Sequence, residues 1–177
     1  MVEESNLKYW RDAGHVARRT LEAMKDELQP GKTFHEIIES AERFIHRHGG
    51  KPAFPGTIAV NDLAAHFTTN HQIEGVEGWD GDMVLQKGDC VKIDFGVHIK
   101  GHIGDNALTL EIGNSNEHTE QIKAAKEARD AAIEMLHPGT PWYKVGQAAA
   151  QPSLDAGFQP IRNLCGHQLK PWELHAG

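Results

Sequence analysis

The stretch that most constrains the fold runs from Cys90 to Ile112, C-V-K-I-D-F-G-V-H-I-K-G-H-I-G-D-N-A-L-T-L-E-I. Val91, Ile93, Phe95, Val97 and Ile99 alternate with Lys92, Asp94, Gly96, His98 and Lys100, the period of a strand with one buried face. Lys100-Gly101 supplies a two-residue loop in which Gly can take positive φ. If Ile99 pairs with His102, Gly96 lies opposite Asp105, and Asp94 and Asp105 become diagonal neighbours on one face, roughly 7–8 Å apart at Cα. Gly96 and Gly104 are expected to clear side-chain volume beside them. Two carboxylates on one sheet face repel each other, and a divalent cation, for which carboxylate oxygen is a suitable ligand, removes that cost. In the alternative reading both aspartates are solvated or mark turns. A three-residue loop would reverse the parity. The opposite face carries Ile93, Phe95, Val97, Ile99, Leu108, Leu110 and Ile112 and is the candidate core.

A chain of 177 residues is long enough for one ordinary domain, or part of a larger one. Its net charge of −7 argues against broad nucleic-acid binding. The 12 histidines suit metal chemistry in an acidic chain. Two cysteines, Cys90 and Cys165, form no disulfide framework, so a reducing, cytoplasmic setting is expected. No apolar run approaches the ~20 residues of a membrane span, so no membrane association is expected.

In chain order, Ser5 can cap a helix reaching about Leu28, with Gly14 as an interior weakness. Thr33 to Glu36 is a capping-box pattern opening a second helix, which Gly49-Gly50 stops. A strand follows at Thr57–Val60, and Leu63–Thr68 can form another short one. Asn70–Asp82 reads as a polar surface loop. After the central hairpin, Gly113–Asn116 caps a third helix from about Glu117 to Leu136. Thr140-Pro141 opens a fourth, with Thr as N-cap and Pro at the first helical position, and Pro152 should break or kink it. Ile161–His167 reads as a further strand, in which Gly166 lets the backbone pass close to a neighbour. The end at Leu174-His175-Ala176-Gly177 looks like a cut through an element.

With Pro52-Ala53-Phe54-Pro55, Ala64-Ala65-His66-Phe67-Thr68, Lys92-Ile93-Asp94-Phe95-Gly96, Gly104-Asp105, Asn163-Leu164-x-Gly166-His167 and Leu174-His175-Ala176-Gly177 in this order, the whole chain resembles the methionine aminopeptidases of type II, archaeal-like. The resemblance implies an α/β pita-bread fold with a curved antiparallel sheet covered by helices. It implies that residues 1–177 are the N-terminal portion of one metallopeptidase domain whose second half, with two further glutamate ligands, is missing. By matched motifs, Asp94, Asp105 and His167 resemble metal ligands of a site holding two divalent ions (Co, Mn, Fe or Zn). His66 and His175 resemble catalytic residues contacting substrate, and Phe54 and Leu174 resemble residues lining the methionine pocket. The implied activity is removal of N-terminal methionine, by a metal-activated water, from peptides and nascent proteins at the ribosome. A missing C-terminal fragment or self-association is the implied partner, and the isolated chain is expected to be inactive. The alternatives are a proline-specific aminopeptidase or dipeptidase of the same fold, and a non-catalytic pita-bread binding protein.

Overall fold

The computed structural model describes residues 4–69, 83–113 and 115–176. The loop expected at Asn70–Asp82 lies outside the described residues, as do Asn114, Gly177 and the Ser5 side chain expected to cap the first helix. The elements are α1 (Glu4–Met24), α2 (Phe34–Arg47), β1 (Lys51–Pro52), β2 (Thr57–Val60), β3 (Cys90–Ile99), β4 (His102–Glu111), α3 (Thr119–Met135), α4 (Trp142–Asp155), β5 (Gln168–Lys170) and β6 (Glu173–Ala176). They fall into two compact units, Met1–Ser115 with His167–Gly177, and Asn116–Gly166.

In the first unit β3 is the central strand. β4 pairs antiparallel along one edge over the whole of β3, while β2 and β1 share the other edge in succession. The β3–β4 register places Ile99 opposite His102 and Gly96 opposite Asp105, so the two aspartates share a face. The turn is possible because Lys100 and Gly101 both take positive φ, 50° and 84°. Two left-handed residues in succession give the backbone twist that matches paired strands.

The other face is the core. Val91, Ile93, Phe95 and Val97 are fully buried against Ala17, Leu21 and Met24 of α1 and Phe34, Ile37 and Ile45 of α2. Each large apolar side chain so buried contributes about 1.5–3 kcal/mol. The start of α2 is fixed by the expected capping box: Thr33 Oγ1 accepts from the Glu36 amide at 3.1 Å, and Glu36 Oε2 accepts from the Thr33 amide at 2.9 Å.

Gly104 corrects the sequence reading. It pairs with Val97 and therefore faces the core, not the carboxylates. A Cβ on Gly104 would stand 2.8 Å from the backbone of Ala13 and Gly14, so its role is to let α1 lie directly on the sheet. Gly96 does face the carboxylates, and an added Cβ there would run into the Phe54 ring.

Leu63–Thr68 is not a strand. His66 sits at φ 63°, which turns the chain out of the extended conformation. The segment is nonetheless tied to its neighbours by Ile58 N–H to Phe67 O at 2.8 Å and by Thr68 Oγ1 to Gly56 O at 2.7 Å. Residues 161–167 are irregular too, and extended pairing begins only at Gln168, in a β5–β6 hairpin that sequence periodicity did not reveal.

The second unit holds α3 and α4, packed on each other. The N-cap of α4 is Pro141, with no side-chain cap, one residue later than Thr140-Pro141 implied. Pro152 neither ends α4 nor stops its last turn: the helix continues to Asp155, and Pro152 O accepts from the Ala156 amide at 3.1 Å. A proline four residues from a helix end costs one amide donor, not the whole turn. No helix among the described residues is long and apolar enough to cross a membrane.

The two glycines at the α1–sheet contact give opposite expectations. A Cβ at Gly14 meets nothing within 4 Å, so Gly14→Ala should stabilise the helix by about 0.5–1 kcal/mol. Gly104→Ala must push backbone against backbone and should cost about 1–3 kcal/mol. Urea unfolding midpoints of the two variants, moving in opposite directions, check this packing.

Candidate metal centre and substrate cavity

The face of the sheet away from the core carries a cavity of about 340 Å3, all of it in the first unit. Phe54, His66, Asp94, Asp105, His167, Leu174 and His175, the residues singled out by the sequence, all line it. Asp94 comes from the middle of β3 and Asp105 from β4 one diagonal step away. His167 immediately precedes β5, and Leu174 and His175 lie in β6. Phe54 stands in the segment between β1 and β2 that crosses Gly96, held by Ala53 N–H to Gly96 O at 2.9 Å. His66 is carried in by its own left-handed turn.

Asp94 is half-buried, and its pKa is raised from 3.8 to about 6. Burial is the main cause; the Asp105 carboxylate, close enough to share a proton with it, is the second. His66 and His167 pull the other way. Asp94 Oδ1 is buried and finds no hydrogen-bond partner among the described residues. His167 Nε2 lies 3.5 Å from Asp105 Oδ2, and its Nδ1 lies 3.3 Å from the Gln168 carbonyl. If Nδ1 gives its proton to that carbonyl, Nε2 turns a lone pair toward a carboxylate oxygen, and two acceptors face each other. The His167 and His175 rings meet edge to face at 4.5 Å between centroids.

These observations fit a divalent cation in kind. An orphaned carboxylate oxygen, two adjacent carboxylates and an imidazole anchored at its other nitrogen are the donors and the outer support that such ions use. Ligand distances of ~2.0–2.2 Å would let one ion bridge a gap like that between His167 and Asp105. Among the described residues no three His, Cys, Asp or Glu side chains close on a single point. The donors are assembled in pairs, Asp94 with Asp105 and Asp105 with His167.

Pro55, Thr57 and Thr68 also line the cavity and were not anticipated. Thr57 is the residue directly opposite Asp94 on β2, a position that the β3 register alone does not reveal. Gly166, expected at a close backbone approach, would meet nothing within 4 Å if given a Cβ, among the described residues.

The raised pKa of Asp94 gives a pH dependence. Between the ordinary value of 3.8 and the folded value of about 6, the folded chain holds a proton that the unfolded chain releases. Stability of the metal-free chain should therefore fall as pH rises through this window and level off above it. Asp94→Asn should flatten that fall. Urea unfolding from pH 4 to 7 in chelator checks it, and a variant curve parallel to wild type would contradict it.

Residues 8–177 match the family model described as metallopeptidase family M24. The methionine aminopeptidase of Thermococcus onnurineus is 38% identical over 166 residues, which cover 93% of this chain and 52% of that protein. The chain thus spans about half the length of curated relatives of this kind. A methionine aminopeptidase from Methanothermus fervidus is 33% identical, with 98% of this chain and 92% of that protein covered. The crystal structure of methionine aminopeptidase from Thermotoga maritima matches with a TM-score of 0.84 and 25% identity, over 99% of this chain and 70% of that one. The fold is the α/β pita-bread fold of such enzymes, and the chain belongs to metallopeptidase family M24, related to the archaeal methionine aminopeptidases.

Proposed function

We propose that the protein is a metal-dependent aminopeptidase that removes methionine from the N-termini of peptides and newly made proteins. The observation that carries this reading is the single cavity in which Asp94, Asp105, His167, His66, His175, Phe54 and Leu174 meet. Support also comes from the family and from relatives named methionine aminopeptidase.

Asp94, Asp105 and His167 would hold the ions. Asp105 stands between Asp94 and His167, which suits it to serve two ions. When bound, divalent ions supply Lewis acidity toward a peptide carbonyl and toward water. His66 and His175 hold N–H groups on the cavity wall, where each can donate to the scissile carbonyl oxygen or the leaving nitrogen as charge develops. Phe54 and Leu174 offer an aromatic and an aliphatic wall, which suits a flexible thioether. Two aspartates and a neutral histidine carry less negative charge than two divalent ions need. Further carboxylates are therefore proposed to come from sequence corresponding to the other half of the longer relatives.

The test is release of methionine from a short peptide with added Co²⁺ or Mn²⁺, using this chain alone and mixed with the remaining half of an archaeal relative. Activity is expected on mixing and should vanish with chelator. His66→Ala in the active mixture should lower turnover by about 10²–10⁴ with metal content unchanged. Robust release by the chain alone would mean that its site is completed in another way. A mixture that forms a complex, binds metal and releases nothing would contradict the reading.

A further inference from the structure

Beyond Leu174 the same sheet face continues. His98 and Ile103 are the next opposed pair on this face after Gly96 and Asp105, and they line a second cavity of about 200 Å3. Pro52 and Ala53 line one side and Trp172 another. Leu174 lines both cavities. The proposed reaction makes no use of the second one.

Trp172 has the features of a wall and not of a core residue. It is 73% exposed, yet it is held in place. Its amide donates to Gly101 O at 2.9 Å. Its indole lies against the bare Gly101 backbone, where a Cβ would collide with it. Its ring stands 4.9 Å from that of His98. Its φ of 65° is in the left-handed region, unfavourable for a bulky residue and tolerated where the surroundings impose it. The resulting cavity has two aromatic rings and aliphatic sides, the surroundings that an aromatic side chain prefers.

We infer that Leu174 is a specificity-determining partition: it ends the substrate cavity at the length of a methionine and closes off a pre-built extension that would take an aromatic side chain. The inference rests on the first cavity being the substrate cavity. It identifies the occupant by continuity, because Leu174 lines both cavities and the His98 and Trp172 rings line the second.

The experiment compares wild type, Leu174→Ala, and Leu174→Ala combined with Ala53→Phe, which refills the second cavity from the other side. The first readout is the Trp172 indole N–H signal in NMR spectra with phenylalaninamide or methioninamide. Phenylalaninamide should shift that signal in Leu174→Ala and not in wild type, and the double variant should return to wild type. The second readout is kcat/KM for Phe- against Met-initiated peptides in the active mixture. The Phe/Met ratio should rise at least about 10-fold in Leu174→Ala, within the range that a small change in an apolar pocket commands, and fall back in the double variant. An unshifted Trp172 signal in Leu174→Ala, or a ratio unchanged while methionine is still released, overturns the inference. If no form releases methionine, the catalytic reading fails, and the Trp172 signal still decides the partition.

Discussion

Two carboxylates that cannot move apart dominate this structure. Asp94 and Asp105 are placed on one face of a hairpin by a register that a single turn enforces, with Lys100 and Gly101 both left-handed. A slip of one residue would send every core side chain of β3 to the wrong face. The burial of Ile93, Phe95 and Val97 therefore locks the carboxylates together. Burial first, and the Asp105 carboxylate second, raise the pKa of Asp94, whose buried Oδ1 has no hydrogen-bond partner among the described residues. A cation bound between the two carboxylates would relieve their repulsion and give that oxygen a partner.

The rest of the first unit serves that face from behind or from the sides. From behind, α1 lies on the sheet at Gly104 and α2 seals the apolar layer. From one side, the segment after β1 lays Phe54 over Gly96. From the other, the β5–β6 hairpin brings His167, Leu174 and His175 to the cavity, anchored at its tip by Trp172 on Gly101. The hairpin turn thus does two jobs: it sets the carboxylate register and gives the second hairpin its resting place.

What could be read from the sequence was what local periodicity determines. The β3–β4 pairing follows from alternation plus a two-residue turn, and the start of α2 from Thr33 and Glu36. Gly104 was assigned against parity, because the register that put Asp94 and Asp105 together already put Gly104 on the other face. Leu63–Thr68 looked extended by composition, but His66 takes a left-handed φ that no composition signals. The β5–β6 hairpin has strands of three and four residues, too short for a period to register. Thr57 escaped notice because its place in the cavity depends on which strand lies beside β3, and Thr68 because it is held by a hydrogen bond to the distant Gly56 carbonyl. The named site residues were identified through a resemblance of motifs, not from spacing alone; the hairpin geometry carried only the two aspartates.

The most direct measurement is a calorimetric titration of Mn²⁺ into the protein at pH 7, on wild type, Asp94→Asn, Asp105→Asn and His66→Ala. If the carboxylate pair is the metal site, saturable binding should weaken by at least about 10-fold in each aspartate variant and hold within about 2-fold in His66→Ala. Binding that survives both aspartate substitutions, or that disappears in His66→Ala, would contradict the account.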